Sequence, residues 1–290
     1  MTREIALLTN PTAGKGRGAR VREAALTLLH GAGWRVQVLE GRDADEAAEL
    51  GHKAVAGGTE ALVVCGGDGM VHLAAQVLAG TGTPLGILPA GTGNDAARTL
   101  GIPRKDTAAA VARLIAWRQR TVDLARSGDR WFLTVLAAGF DAVVNERANK
   151  MTWPRGQMRY NLATLAELRT FEPLHYELDL DGEQHHLRAM LVAVGNGPSF
   201  GGGLRIAEGA VIDDGLLDVV VIGPLTKPDL VRTYPKLFSG THVHHPQFSR
   251  HRVRKVSVAC PGIVGYADGE RYGALPLTVE CVPAALQVIA

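Results

Sequence analysis

The chain has 290 residues, with 31 Lys and Arg against 29 Asp and Glu for a formal charge of +2, and it is 46% hydrophobic and 21% charged. That length admits one large domain or two ordinary ones with real cores, and the composition excludes intrinsic disorder and a membrane-spanning class. The small charge argues against nucleic acid held by bulk electrostatics, while leaving local basic patches open.

Three cysteines, Cys65, Cys260 and Cys281, lie far apart, odd in number and without Cys-x-x-Cys spacing. That pattern reads as buried thiols in a reducing compartment, not as disulfides or a zinc site. The N-terminal apolar stretch of about five residues is shorter than a signal peptide needs. No run approaches the roughly 20 apolar residues of a membrane helix. A cytoplasmic protein is expected.

In chain order, "IALLT" precedes a helical pattern over 18–31, "RVQVLE" one over 43–56, "ALVVC" one over 69–79, and "LGILP" short ones over 94–99 and 106–117. Strands alternating with amphipathic segments predict an α/β domain with a parallel sheet. From about residue 120 the texture changes to strand-like runs: 120–128, 130–140, 174–182, 186–197, 215–223, 252–260 and 276–282, separated by turn signals such as "LDGEQ" and "ADGE". These predict a C-terminal antiparallel β-sandwich. One helix is predicted at 157–171. The division falls near Asp123, giving units 1–124 and 125–284 with a cleft between them.

Parallel sheets bind ligands beyond the carboxyl ends of their strands, and three glycine clusters fall there. "NPTAGKGRG" follows the first strand, "GGDG" the third and "PAGTGND" the fourth. A helix N-terminus attracts phosphate through unpaired N–H groups and its dipole, and glycine lets the ligand approach. An aspartate at such a place is repulsive toward phosphate unless a cation intervenes, so Asp68 suggests magnesium. Alone, "GGDG" barely exceeds an ordinary strand-to-helix turn. "TNPTAGKGRG" is not a P-loop, because Thr9 stands where glycine is needed and Gly16 follows Lys15. Lys15 and Arg17 remain available for phosphate. Thr92 offers a hydroxyl, and Asn94 or Asp95 could equally cap a helix.

"NPTAGKGRG", "GGDGM", "GTGND", "VDL", "VGNGPSFGGGLRIAEGAVIDDGLLDV" and "YADGERY" occur in the order and at about the spacing of the diacylglycerol kinase catalytic family. The chain resembles this group over nearly its whole length. The group includes bacterial diacylglycerol kinases, YegS-like lipid kinases and sphingosine kinases. The resemblance implies an N-terminal α/β nucleotide domain, a C-terminal antiparallel β-sandwich, ATP and Mg2+ in the cleft, and a return of residues 285–290 to the first domain.

It also implies roles for particular residues. Asn10, Pro11, Thr12, Ala13 and Gly14, with Gly66, Gly67, Asp68, Gly69, Met70, Val71 and His72, line the nucleotide, and Thr92 and Asn94 assist. Asp68, Asp95 and Asp123 form an acidic network around the catalytic magnesium, although Asp123 could equally be a surface carboxylate. Asp268 is the general base, on what reads from the residues as a hairpin turn. Glu270 lies on the same side as a second catalytic carboxylate or a ligand for metal or water. A structural magnesium site consists of the Asp214 side chain with the carbonyls of Val211 and Leu216, where a plain turn would look identical. The acceptor is a lipid, contact with a membrane surface is peripheral, no nucleic acid is bound, and a homodimer is left open.

Met70 stands where the family usually has Thr, and can offer a ligand only its backbone N–H. Glu208 stands where the family usually has Pro. "THVHH" brings His242, His244 and His245 close in sequence, but reads as a polar loop because no Cys or carboxylate completes a metal set. Residues 150–160 mix Lys150, Arg155 and Arg159 with Met151, Trp153, Met158 and Tyr160, a composition suited to an anionic membrane surface or to a helix packed on the sandwich. Two rival functions are a kinase for a soluble substrate, since NAD kinases also use a GGDG turn, and a non-catalytic binder of nucleotide or lipid.

Overall fold

The computed structural model describes residues 2–9, 17–153, 162–163, 166–167 and 172–290, apart from a few side chains between 141 and 149. Asn10, Pro11, Thr12, Ala13, Gly14 and Lys15, with most of the helix predicted at 157–171, lie outside the described residues.

The N-terminal part is the expected α/β unit. Strands β1 (Glu4–Thr9), β2 (Arg35–Glu40), β3 (Leu62–Gly66) and β4 (Leu85–Pro89) pair in parallel in the order β2-β1-β3-β4. Helices α1 (Arg17–Gly31), α2 (Ala44–Ala56), α3 (Asp68–Leu78), α4 (Asp95–Thr99) and α5 (Thr107–Ala116) supply the connections. Strands β3 and β4 are buried at every position, as uninterrupted apolar runs require when helices cover both faces of a sheet. Asp43 and Asp106 cap α2 and α5 by accepting hydrogen bonds from the N–H groups of Glu46 and Ala109, both at 2.9 Å.

The C-terminal part comprises β5 (Gln119–Ser127), β6 (Arg130–Phe132), β7 (Val135–Gly139), α6 (Phe140–Lys150), β8 (Leu174–Leu180), β9 (Glu183–Ala189), β10 (Leu191–Gly195), β11 (Leu217–Ile222), β12 (Phe248–Val253), β13 (Lys255–Ala259), β14 (Val264–Ala267), β15 (Glu270–Ala274) and β16 (Leu277–Ile289). A six-stranded antiparallel sheet runs β12-β11-β10-β7-β14-β15. It faces the antiparallel strands β16, β13, β8 and β9, which continue the first sheet. Phe132, Tyr176, Leu178, Val192, Leu217, Val219, Val256 and Val279 fill the space between the two layers.

Three runs that read as single strands are each two. The chain changes sheet at Leu133 and Thr134 between β6 and β7, at Met190 between β9 and β10, and at Arg254 between β12 and β13. Leu133, Thr134 and Met190 are as buried as the strands they join, so the apolar pattern runs straight through and hides the corner. Helix α6 and the helices Lys227–Thr233 and Lys236–Ser239 are additions that the strand-rich reading overlooked.

The last strand joins the N-terminal sheet to the C-terminal strands. Strand β16 pairs with β13 at its start, with β5 along most of its length, and with β4 in parallel at Val288. Its register shifts between Val282 and Leu286, where Asp123 Oδ1 accepts a hydrogen bond from Ala284 N at 2.8 Å. The three cysteines are free thiols. Among the described residues no helix is long and apolar enough to cross a membrane.

Candidate active site

The carboxyl ends of β3 and β4 present "GGDG" and "GTGND" to the C-terminal strands. Gly67 and Gly91 bring these loops together. A Cβ on Gly91 would stand 2.4 Å from the Cα of Gly67, and one on Gly67 would stand 3.1 Å from the Cα of Gly91. The two loops therefore pack backbone against backbone, which only glycine permits. Gly69 makes room in a different way, since a Cβ there would meet Glu270 Oε1 at 2.8 Å. These glycines serve mutual packing of the site's own parts, beyond the clearance for phosphate that the sequence suggests.

The packing gathers Asp68, Asp95, Asp268 and Glu270 around one chamber of about 230 Å³, completed by Gly69, Thr134, Phe200, Gly201, Gly202 and Gly269. Asp68 begins α3 and accepts a hydrogen bond from Ala96 N at 3.1 Å, so it ties α3 to α4. Burial pushes its carboxyl up to about 6, and the nearby charges of Asp95 and Asp268 add to the rise. Asp95 is buried, pairs with Arg98, and accepts hydrogen bonds from Gly202 N at 2.5 Å and Ser199 Oγ at 3.4 Å.

Asp268 and Gly269 both have positive φ, 52° and 88°, and form the tight turn between β14 and β15. The hairpin read from "ADGE" is thus present, and it aims the carboxylate inward. Asp268 Oδ1 accepts hydrogen bonds from Thr134 N at 2.8 Å and Thr134 Oγ1 at 2.6 Å. Its Oδ2 accepts from Leu133 N at 3.0 Å and from His72 Nδ1 at 3.0 Å. Burial opposes ionisation, but His72 first, then Thr134 and Leu133, outweigh it and hold the carboxyl below its ordinary range. The corner at Leu133 and Thr134 turns both N–H groups toward this carboxylate.

A groove of about 560 Å³ adjoins the chamber and shares Gly69 and Glu270 with it. Thr9, Gly67, Met70, His72, Gln76, Arg130 and Arg271 help to line this groove. The hydroxyl of Thr9 is buried without a hydrogen-bond partner among the described residues, at the end of β1. Sequence reasoning weighed Thr9 only as a departure from the P-loop; its place at the end of a parallel strand was the signal available. On the other side, an apolar cavity of about 270 Å³ shares Phe200, Gly201, Gly202 and Gly269 with the chamber. Its wall includes Phe140, Met190, Leu204, Ile206, Leu230 and Leu237.

Other predicted residues lie elsewhere. Asp123 is buried, with Oδ1 occupied by Ala284 N and Oδ2 by Gly215 N at 2.7 Å, and it does not line the chamber. Its carboxylate braces the register shift of β16. Asp214 Oδ1 accepts from Leu216 N at 3.1 Å, and its Oδ2 pairs with Arg252, so a guanidinium already supplies positive charge at the turn formed with Val211 and Leu216. Asn94 exchanges two hydrogen bonds with the backbone of Gly91, at 3.0 and 2.9 Å, and closes its own loop without capping α4 by its side chain. Thr92 is exposed, and Val71 and Gly66 face the core. Met70 packs over Gly66 at the edge of the groove, and its N–H donates to Gly67 O at 3.1 Å, so the N–H that the sequence left for a ligand is already engaged. His242 is buried and donates from Nε2 to Ile206 O at 3.1 Å, in a short 3-10 helix where a polar loop was expected.

A divalent cation suits the chamber. Four carboxylates line it and no Lys or Arg does, although Arg98 pairs with Asp95 from behind its wall and leaves Asp68, Asp268 and Glu270 without a Lys or Arg partner among the described residues. Asp68 Oδ2 and Asp95 Oδ2 would both stand within 3.3 Å of a Cβ on Gly93, so the two carboxylates border one point. Among the described residues no group of three or more His, Cys, Asp or Glu side chains is placed to hold a metal ion by itself. Magnesium commonly takes one or two carboxylates and completes its shell with water and phosphate oxygens.

Residues 4–127 match the family model for the diacylglycerol kinase catalytic domain, and residues 134–290 match the YegS C-terminal NAD kinase beta sandwich-like domain. The chain is 45% identical over 292 aligned residues to a protein named diacylglycerol kinase from Mycobacterium tuberculosis strain H37Rv, covering 99% of this chain and 94% of that one. A probable lipid kinase YegS-like from Pseudomonas fluorescens is 32% identical, with 91% of this chain and 89% of that protein covered. The fold matches a crystal structure of a putative diacylglycerol kinase from Bacillus anthracis with a TM-score of 0.77 at 21% identity, over 99% and 97% of the two chains. The chain belongs to the family of diacylglycerol kinases and YegS-like lipid kinases.

Proposed function

We propose that the protein transfers the γ-phosphoryl group of ATP to a hydroxyl of a lipid such as diacylglycerol or a sphingoid base. In this reading, residues 1–124 with 285–290 hold the nucleotide and 125–284 the acceptor. One observation carries it: the carboxylate chamber adjoins both a groove edged by His72, Gln76, Arg130 and Arg271 and an apolar cavity, and shares wall residues with each. A nucleotide in the groove and an apolar chain in the cavity would both present their reactive ends to the same four carboxylates. An acceptor as polar as NAD would find little to recognise among Phe140, Met190, Leu204 and Leu230.

Phosphoryl transfer needs positioning and charge neutralisation more than covalent chemistry. Asp68 and Asp95 would hold magnesium, which neutralises phosphate charge. Asp268 is ionised at neutral pH and faces the chamber. Of its four hydrogen-bond donors, the Thr134 hydroxyl is the one that can rotate away, which frees Oδ1 for the incoming acceptor hydroxyl. A carboxyl held below its ordinary pKa is a weak base, which suits a loose transition state in which the acceptor proton leaves late. Glu270 faces the chamber from the same hairpin and stands over the N-terminus of α3.

The test is phosphorylation from labelled ATP across diacylglycerol, sphingoid base and NAD. Asp268→Asn should lower kcat by about 10²- to 10⁴-fold with little change in the KM for ATP. Activity on NAD alone, or an unimpaired Asp268→Asn enzyme, would overturn the assignment.

A further inference from the structure

The helices Lys227–Thr233 and Lys236–Ser239 close one side of the apolar cavity and contribute nothing to the carboxylate chamber. Leu230, Thr233, Tyr234 and Leu237, at the i, i+3, i+4, i+7 spacing of one helical stripe, line the cavity. The next stripe around the axis holds Val231 and Phe238, seven residues apart, with Pro228 and Pro235 beside them. All four are exposed, Val231 by 54% and Phe238 by 50%. Tyr234 and Pro235 keep helical backbone angles between the two helices, and at about 100° per residue the arc from Thr233 through Leu230 and Phe238 to Pro228 takes in more than half of the circumference, with Lys227 as its one charged residue. A helix that only roofed a cavity would keep the part beyond Tyr234 polar.

The charges on the pair complete the pattern. Lys227, Arg232 and Lys236 are exposed, and Asp229, paired with Arg232 at 3.7 Å, is the single acidic residue, a local charge of +2. A short helical element with surplus apolar surface and basic flanks suits the boundary of an anionic bilayer. We propose that this helix pair is the face by which the protein docks on a membrane carrying anionic lipid. The inference rests on the reading of the cavity as the acceptor-lipid site, because the same helices wall that cavity. Val231 and Phe238 would enter the bilayer surface while Leu230 and Leu237 guide an acyl chain, so a lipid would pass from bilayer to cavity along one continuous apolar surface.

The test is sedimentation of the full-length protein, without nucleotide, with phosphatidylcholine vesicles that do or do not contain phosphatidylglycerol. Wild type should bind the anionic vesicles preferentially. Val231→Glu and Phe238→Glu should each lower the partition coefficient by about tenfold or more, and Lys236→Glu by about fivefold. All three variants should melt as the wild type does, since these side chains already face solvent. Unchanged binding by the folded variants would overturn the proposal. So would unchanged binding combined with a shift from dimer to monomer by light scattering, which would make the face a contact between two copies. Normal vesicle binding by an enzyme that phosphorylates no lipid would defeat the functional reading and leave the docking face standing, whereas lipid phosphorylation with binding unaffected by the substitutions would do the reverse.

Discussion

Asp68→Asn should stabilise the metal-free protein while abolishing its activity. Burial and the charges of Asp95 and Asp268 raise the Asp68 pKa from 3.8 to about 6. At about 1.4 kcal/mol per pH unit, the ionised carboxylate costs the folded chain about 3 kcal/mol. The sign follows from linkage. Below pH 3.8 the carboxyl is protonated folded and unfolded, and no penalty applies. Between 3.8 and about 6 the unfolded chain ionises first, and above about 6 the full penalty stands. Asn removes the charge, and its Oδ1 can still accept from Ala96 N. In EDTA at pH 7.5 the variant should therefore melt about 6–12 °C above wild type, at about 2–4 °C per kcal/mol for a chain near this size. The gap should narrow toward pH 5. Magnesium with nucleotide should raise the wild-type melting point and leave the variant almost unmoved. An Asn variant that melted at or below wild type in EDTA would refute the claim that burial, with the charges of Asp95 and Asp268 added, makes the ionised Asp68 costly to the folded chain.

Other substitutions address the neighbouring parts. His72→Ala removes one hydrogen bond to a charged acceptor, worth about 1.5–3 kcal/mol, so kcat should fall about 10- to 100-fold; a rise confined to the KM for ATP would instead make His72 a nucleotide contact. Gly91→Ala places a Cβ 2.4 Å from the Cα of Gly67 and should cost about 1–3 kcal/mol of stability, with a larger loss of activity because it separates the loops bearing Asp68 and Asp95; normal turnover would show that the loops do not need this contact. Met70→Thr should lower stability by about 2 kcal/mol, measured by chemical denaturation, because it empties the space over Gly66. A lowered KM for ATP in that variant would show that the threonine hydroxyl reaches the nucleotide after all.

The alternation of apolar runs and helical patterns over the first 120 residues was legible because each element carried its own period. The sandwich was legible as a set of strands, but its corners were not. Leu133, Thr134 and Met190 continue the burial of the strands they join, and a change of sheet leaves no mark on an apolar run. The acidic site was legible in part for the same local reason. Asp68 and Asp268 sit beside glycines in turns that a sequence can announce, and both reach the chamber. Asp123 and Asp214 look no different in sequence, but their carboxylates are taken by backbone N–H groups and by Arg252, partners that only the folded chain brings near. Thr9 is the converse case, an ordinary strand-end threonine whose hydroxyl lies buried beside the groove without a partner among the described residues.

The two readings of "ADGE", a plain hairpin turn and a catalytic carboxylate, turn out to need one another. A two-residue turn puts Asp268 at positive φ, which costs a non-glycine residue conformational energy, though aspartate tolerates it better than most. Four hydrogen bonds to the carboxylate offset that cost, and two of them come from Leu133 and Thr134, backbone groups free to donate because the chain is changing sheet there. The corner therefore holds the base in place, and the base in turn satisfies the corner's buried N–H groups. Replacing Asp268 by Ala would leave Leu133 N, Thr134 N and the Thr134 hydroxyl without acceptors, at about 1–3 kcal/mol each. Asn keeps an acceptor for Thr134 at Oδ1 but sets an NH2 donor against Leu133 N, so it loses the charge and that one hydrogen bond. A comparison of the two variants separates the roles: Ala should lose both stability and turnover, and Asn should lose turnover with most of its stability intact. Equal destabilisation by Asn and Ala would mean that the charge itself, and not the acceptor geometry, holds the corner together.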